Sequence, residues 1–251
     1  MSRLDVMRTA EVRRALGARD ATQGSSAGVA LPVRRSAASR CRHRGTLRAV
    51  ERWASFDCYG TLVDWNAGIV AALGDRSLLA RYHELEPQVQ AEDPGRSYRD
   101  VLRETARRVG VDADPAVSLP DWPVFPEVRG ALEEARARGW KLAVLSNTDR
   151  DLIDASLRAI GVPFELAIVA SEIGSYKPAE PHWRAFAQQV GRLPDVHVAQ
   201  SHFHDIAPAT RLGIPTIWIN RLAETGEPPA TRELPTLEGL ADALDDLVPA
   251  S

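Results

Sequence analysis

From residue 51 onward, short apolar runs alternate with segments of helical periodicity, and that alternation restricts the chain to a parallel sheet covered by helices. The runs are Trp53 to Asp57, Lys141 to Ser146, Leu166 to Ala170, Val196 to Gln200 and Ile214 to Ile219, which read as five strands. Between the last four lie candidate helices at Pro126–Arg138, Asp149–Ile160, Pro181–Val190 and Ala207–Leu212. Gly139, Gly161, Gly191 and Gly213 follow them, where a left-handed cap is expected. The first gap differs: residues 65–125 carry helical periodicity (Tyr82, Leu85, Val89; Tyr98, Val101, Leu102) and no strand. Such an insertion predicts a helical cap over the carboxyl ends of the strands, where open α/β sheets bind ligands. The Pro-rich stretch Glu227–Pro235 reads as an exposed loop before a short terminal helix.

Charge separates the N-terminal segment from the rest. Residues 1–50 hold 11 Arg and no Lys against Asp5, Glu11 and Asp20, whereas the whole 251-residue chain has 31 basic and 34 acidic residues. That arginine-rich, Ser/Ala-rich segment has few large apolar residues to offset the entropy of ordering, so it is expected to be a disordered basic extension. Residues 51–251 are net acidic and no aromatic residue interleaves the arginines, which argues against a nucleic-acid partner. No run reaches the roughly 18 to 20 apolar residues of a membrane helix. Cys41 and Cys58 cannot build a disulfide framework, so a reducing, cytoplasmic setting is expected.

Four polar stations fall at four strand ends. Strand one ends in Phe56-Asp57-Cys58-Tyr59-Gly60-Thr61-Leu62, a carboxylate followed by a glycine turn whose amides are expected to point back at it. Strand two runs into Ser146-Asn147-Thr148, strand three is followed by Ser175-Tyr176-Lys177-Pro178, and strand four ends in Gln200-Ser201-His202-Phe203-His204-Asp205. Taken singly these are a turn cap, a helix cap, a surface lysine and a polar loop. One shared active site predicts all four together. His202-x-His204-Asp205 with His197 nearby has the makings of a transition-metal site, but no second ligand cluster accompanies it, so histidines packed in the pocket are the expectation.

The order and wording of these motifs over residues 51–251 resemble the haloacid dehalogenase superfamily, and within it the L-2-haloacid dehalogenases. The resemblance implies a Rossmann-like core of residues 51–64 and 126–251 with the cap at 65–125. It implies that Asp57 is a nucleophile that attacks C2 of a 2-haloacid, displacing halide and forming an ester that water hydrolyses. The superfamily's phosphatases carry a second Asp, the general acid, where this chain has Tyr59, and a departing halide needs no proton. Leu79-Ala80-Arg81-Tyr82-His83-Glu84-Leu85-Glu86 resembles the segment with the dehalogenases' cap arginine, which puts Arg81 over the cleft to stabilise halide. Ser146 and Asn147 match the pair that binds substrate carboxylate and halide, Lys177 the lysine that steadies the nucleophile, and Thr61 the threonine bonded to it. Asp205 is assigned to holding Lys177 or orienting the water. Tyr59 and His202 are expected to line the substrate pocket, and Ile217-Trp218-Ile219-Asn220-Arg221 fits the family's last strand.

Departures stand beside these matches. Gln200 and His202 replace a Ser and an Asn, Phe203-His204 replaces Ala-Trp, and Trp183 takes the place of a tyrosine. The expected partner is a small carboxylic acid, with no cofactor and no metal, in a chain whose self-association as a homodimer is compatible with the reading. The alternatives are an Mg²⁺-dependent phosphatase, for which Ser201 stands where the first acid of the fourth motif belongs, and a binding protein that keeps the fold without turnover.

Overall fold

Residues 51–250 are described by the structure, a computed structural model; the expectation for residues 1–50 lies outside them. The chain runs β1 (Arg52–Phe56), α1 (Trp65–Leu73), α2 (Leu79–Glu92), α3 (Tyr98–Arg108), α4 (Pro115–Ser118), α5 (Val128–Ala137), β2 (Trp140–Ser146) and α6 (Arg150–Ile160). It continues through β3 (Leu166–Val169), α7 (Ala170–Ile173), α8 (Pro181–Val190), β4 (Val196–Ala199), α9 (Ala207–Arg211), β5 (Thr216–Ile219), β6 (Arg232–Leu234) and α10 (Leu240–Leu247).

The strands form one parallel sheet in the order β3-β2-β1-β4-β5-β6. Side-chain alternation builds its two faces. Ala54 and Phe56 of β1 and Leu142 and Val144 of β2 join α5, α6 and α10 in one cluster, while Trp53, Ala143 and Leu145 join Trp183 and Phe186 of α8 in the other. Every residue of β1 is buried, as befits a central parallel strand covered on both faces, with Arg52 and Ser55 as its polar members. The chain leaves β1 toward β2 on one side and later fills β4 on the other. The crevice where this direction reverses lies at the carboxyl ends of β1 and β4, the place where such sheets bind ligands.

β6 corrects the reading of Glu227–Pro235 as a loop only. Arg232–Leu234 pairs with β5 in parallel register, Ile217 opposite Arg232 and Ile219 opposite Leu234. It is three residues long, mostly exposed and at the sheet edge, where no apolar run is required and neighbouring prolines are tolerated.

Between β1 and α5 the described residues hold helices and no strand. The inner stripe of α2 and α3 closes around Tyr82, Val89, Val101 and Leu102, and the Tyr82 hydroxyl donates to the carbonyl of Leu102 at 2.9 Å. Gly68 on α1 faces the indole of Trp122, where any Cβ would lie 2.1 Å from the ring, so the helix can approach only as glycine. Asp149, just before α6, accepts from the amides of Tyr98 and Arg99 at 2.9 and 3.0 Å and ties the start of α3 to the sheet. Among the described residues no helix is long and apolar enough to cross a membrane.

Candidate active site

Asp57 follows β1 directly, and its amide donates to the carbonyl of Val198 on β4, which fixes it in the crevice between the two strands. Gly60, at φ 89°, turns the chain, and a Cβ there would press on Gln200. The amides of this turn do not all serve Asp57 as expected: those of Gly60, Leu62 and Val63 donate to the carbonyls of Val63 and Cys58, closing the turn on itself. The group that holds the carboxylate is Thr61, whose Oγ1 donates to Asp57 Oδ2 at 2.9 Å and accepts from the amide of Gln200 at 2.9 Å. One hydroxyl thus joins the ends of β1 and β4.

Lys177 is almost fully buried. Its ammonium has three donors, and all three are placed: Asp57 Oδ1 at 2.9 Å, Asp205 Oδ1 at 2.5 Å and the carbonyl of Leu145 at 2.7 Å. Asn147 clamps its main chain, accepting from the Lys177 amide at 2.6 Å and donating to its carbonyl at 3.0 Å. The amide predicted to bind substrate also positions the lysine, and Asn147 lines the cleft. Ser146 Oγ, at the end of β2, lines the cleft and is buried without a hydrogen-bond partner. It is the unsatisfied donor best placed to meet an anion.

Burial raises the Asp57 carboxyl, opposed by the charge of Lys177 and by the hydrogen bonds from Lys177 and Thr61. Burial works the same way on Asp205, but there the charge of Lys177 and the hydrogen bond from His197 prevail and hold the group down at about 2. Burial disfavours the charged Lys177, yet the two carboxylates more than offset it and its pKa is raised.

Tyr59, the residue in the phosphatases' general-acid position, donates to or accepts from Ser156 Oγ at 3.1 Å, and its ring stacks near Tyr98 and meets Trp122 edge-on. Burial pushes its phenol far up, so it stays protonated at any working pH. His202 and Asp205 belong to a single π-helical turn, His202–Ile206, that begins at the end of β4. His202 Nε2 lies 3.0 Å from the carbonyl of Pro228 and its ring packs edge-on against Trp218, so it shapes the cleft wall from the β6 side. His204 is held by Ser201, and burial lowers it to about 4.

Arg81 is not brought to the site. Its side chain is 60% exposed and pairs with Glu84 at 2.7 Å on the outer side of α2. The face of α2 that lines the cleft is His83, Glu86, Pro87 and Gln90, a helical i, i+3, i+4, i+7 stripe. Arg81 lies two residues before His83 and hence roughly 200° around the helix from it. Two guanidiniums do line the cleft, Arg76 and Arg221, and Arg221 donates to the carbonyl of Thr61 at 2.9 Å and to Glu127 at 2.6 Å and lies 3.6 Å over the ring of Phe125. The cleft measures about 1140 Å³.

Two lining residues were not anticipated. Glu86 is buried, bonded by Gln90 at 2.5 Å, and burial raises it to about 7. The signal was present, since a carboxylate sits inside the stripe Tyr82, Leu85, Val89. Arg221 was read as part of a structural strand end. Among the described residues no group of three or more His, Cys, Asp or Glu side chains is arranged to hold a metal ion. Ser201 supplies a hydroxyl where a phosphatase would place an acid, and Lys177 already bridges Asp57 and Asp205.

The family model for haloacid dehalogenase-like hydrolases matches residues 52–199, the segment that carries the Asp57 turn, the helices between β1 and α5, and Lys177. The chain belongs to the haloacid dehalogenase-like hydrolases. An (S)-2-haloacid dehalogenase of Pseudomonas sp. strain YL is 29% identical to it over 69% of this chain and 84% of its own. A phosphoserine phosphatase of Thermus thermophilus is 28% identical over 63% of this chain and 68% of its own. Among solved structures, the L-2-haloacid dehalogenase of Xanthobacter autotrophicus with chloropropionic acid covalently bound superposes with a TM-score of 0.65 at 18% identity, covering 77% of this chain and 98% of that one. That likeness establishes the shared fold of this haloacid dehalogenase-like hydrolase.

Proposed function

We propose that this hydrolase cleaves the carbon–halogen bond of small 2-haloacids, in the manner of an (S)-2-haloacid dehalogenase. The observation that carries the reading is Tyr59. A phosphate ester or other oxygen leaving group needs a proton, and the side chain in the acid position is a buried phenol committed to Ser156. Halide departs with its electron pair and needs none.

The chemistry assigned to the chain's own groups is short. An Asp57 carboxylate oxygen attacks C2 from the side opposite the halogen, the C–O bond forms as the C–halogen bond breaks, and halide leaves. Lys177 and Thr61 hold the carboxylate in one orientation, so that little is spent on ordering it during attack. Ser146 Oγ is assigned to the substrate carboxylate, which satisfies its unpartnered hydroxyl. Water then adds to the carbonyl carbon of the Asp57 ester, the bond from that carbon to the original carboxylate oxygen breaks, one proton of the water ends on that oxygen as the 2-hydroxy acid leaves, and the other passes to solvent as the Asp57 carboxylate is restored. No step of this chemistry is routed through a metal ion.

The phosphatase reading keeps one observation in its favour, the similarity to a phosphoserine phosphatase. Release of halide from chloro-, bromo- and fluoro-substituted 2-haloacids, measured with and without EDTA beside release of p-nitrophenol from its phosphate, separates the two. Chelator-insensitive halide release is expected. Phosphate hydrolysis that EDTA abolishes, without halide release, would replace this reading with the phosphatase, and silence in both assays would favour a binding protein.

A further inference from the structure

Behind Asp205 the hydrogen-bond chain continues into the sheet. His197, fully buried in the middle of β4, places Nε2 2.9 Å from Asp205 Oδ1 and Nδ1 2.8 Å from Ser55 Oγ on the neighbouring β1. Ser55 stands opposite His197 in the register of the two strands. The indole of Trp183 packs edge-on against the imidazole, with centroids 5.4 Å apart. An imidazole in a strand otherwise made of Val and Ala is costly to bury, and its two ring nitrogens both have partners, one of them the carboxylate that holds Lys177.

We propose that His197 is a positioning residue for the reaction: oriented by Ser55, it donates from Nε2 to Asp205 Oδ1 and so fixes the carboxylate that holds Lys177 against Asp57. The oxygen it contacts is the same Oδ1 that receives Lys177 Nζ. A carboxylate oxygen accepting from two sides is confined to one place, and Lys177 with it. The Asp205 carboxylate offers no hydrogen of its own, so Nε2 must carry one. Ser55 Oγ lies 2.8 Å from Nδ1 and only 3.4 Å from the carbonyl of Val196, so its hydrogen bond to the ring is the closer of the two and sets the ring's rotation. Trp183, where the resemblance leads one to expect a tyrosine, fills the volume beside this ring and does not line the cleft. This role rests on Asp57 being the hydrolase's nucleophile and not on which group leaves.

The test compares His197→Phe, which keeps a ring but no donor, with His197→Gln, whose amide can donate to Asp205, and Ser55→Ala, which removes only the orienting hydroxyl. With 2-chloropropionate as probe, His197→Phe is expected to lower kcat about 10- to 100-fold with KM little changed, Ser55→Ala to lower it less, and His197→Gln to recover most of the loss. Equal losses in His197→Phe and His197→Gln that follow their melting temperatures would overturn the proposal and leave a packing residue. Nitrogen NMR gives a readout independent of any substrate. A hydrogen on His197 Nε2 whose resonance moves in Ser55→Ala is expected, and a bare Nε2 would overturn the proposal even where no halide is released.

Discussion

Lys177 Nζ lies 2.9 Å from Asp57 Oδ1 across a separation of 120 residues, both groups buried at the switch point of the sheet. The ammonium is the opposite charge that faces Asp57, and it is shared with Asp205. Replacing Lys177 by Met leaves two carboxylates facing each other without a counter-charge. Breaking a buried pair in this way costs about 3–5 kcal/mol. Lys177→Met should therefore lose both turnover and stability. The wild-type contribution from Asp205, whose folded pKa is depressed to about 2 from an ordinary 3.8, is present above about pH 4 and lost as pH falls toward 2. Denaturation followed from pH 5 downward should show that loss in the wild type and a smaller one in Lys177→Met. An active, equally stable Lys177→Met would refute the placement.

Arg81 and Arg221 give opposite expectations. Arg81 forms an exposed pair with Glu84, a contact worth about 0.2–1 kcal/mol. Arg81→Lys should leave kcat/KM within about fivefold. Arg221, side chain 12% exposed, joins Thr61 to Glu127 and borders the cleft. Arg221→Met should lower kcat/KM at least about tenfold, since it removes a charged hydrogen bond worth about 1.5–3 kcal/mol. Steady-state kinetics of the two variants decide the matter, and a larger loss in Arg81→Lys would mean that α2 turns its outer face to the substrate during turnover.

Glu86 predicts a pH dependence of stability. Its folded pKa is raised from 4.5 to about 7 by burial, so between those values the native state binds more protons than the unfolded chain, and stability falls as pH rises. The tyrosines that surround it, Tyr82 and Tyr98, supply no positive charge to offset this. Glu86→Gln keeps the acceptor for Gln90 and removes the ionisation. It should be more stable than the wild type above pH 7, by up to about 3 kcal/mol at 1.36 kcal/mol per unit, and no more stable at pH 4. Melting curves at the two pH values check this, and a Glu86→Gln protein destabilised equally at both would show that the carboxyl is ionised in the fold.

The parts of this molecule that were legible in the sequence are those where one local pattern suffices. β1 and β2 are buried on both faces, so their apolar runs announce themselves, and the polar residues just beyond them fall into the crevice by topology alone. Asp57, Thr61, Ser146, Lys177 and Asp205 were found in this way. Arg81 was not placed correctly because a motif fixes a residue's position along a helix but not which face of that helix meets the sheet; packing of Tyr82, Leu85 and Val89 decides that rotation. β6 gives no such signal because a three-residue edge strand that is mostly exposed carries no periodicity. The role of Asn147 as a clamp on the Lys177 backbone depends on a contact 30 residues away in sequence.

The central claim is that a carboxylate oxygen of Asp57, and not water, attacks the substrate carbon. A single turnover of (S)-2-chloropropionate by excess enzyme in ¹⁸O water, followed by mass spectrometry of the product and of the peptide containing Asp57, tests it directly. The account predicts an unlabelled 2-hydroxy acid and one ¹⁸O in the Asp57 carboxylate, because water adds to the ester's carbonyl carbon. Labelled product with an unlabelled Asp57 would contradict it.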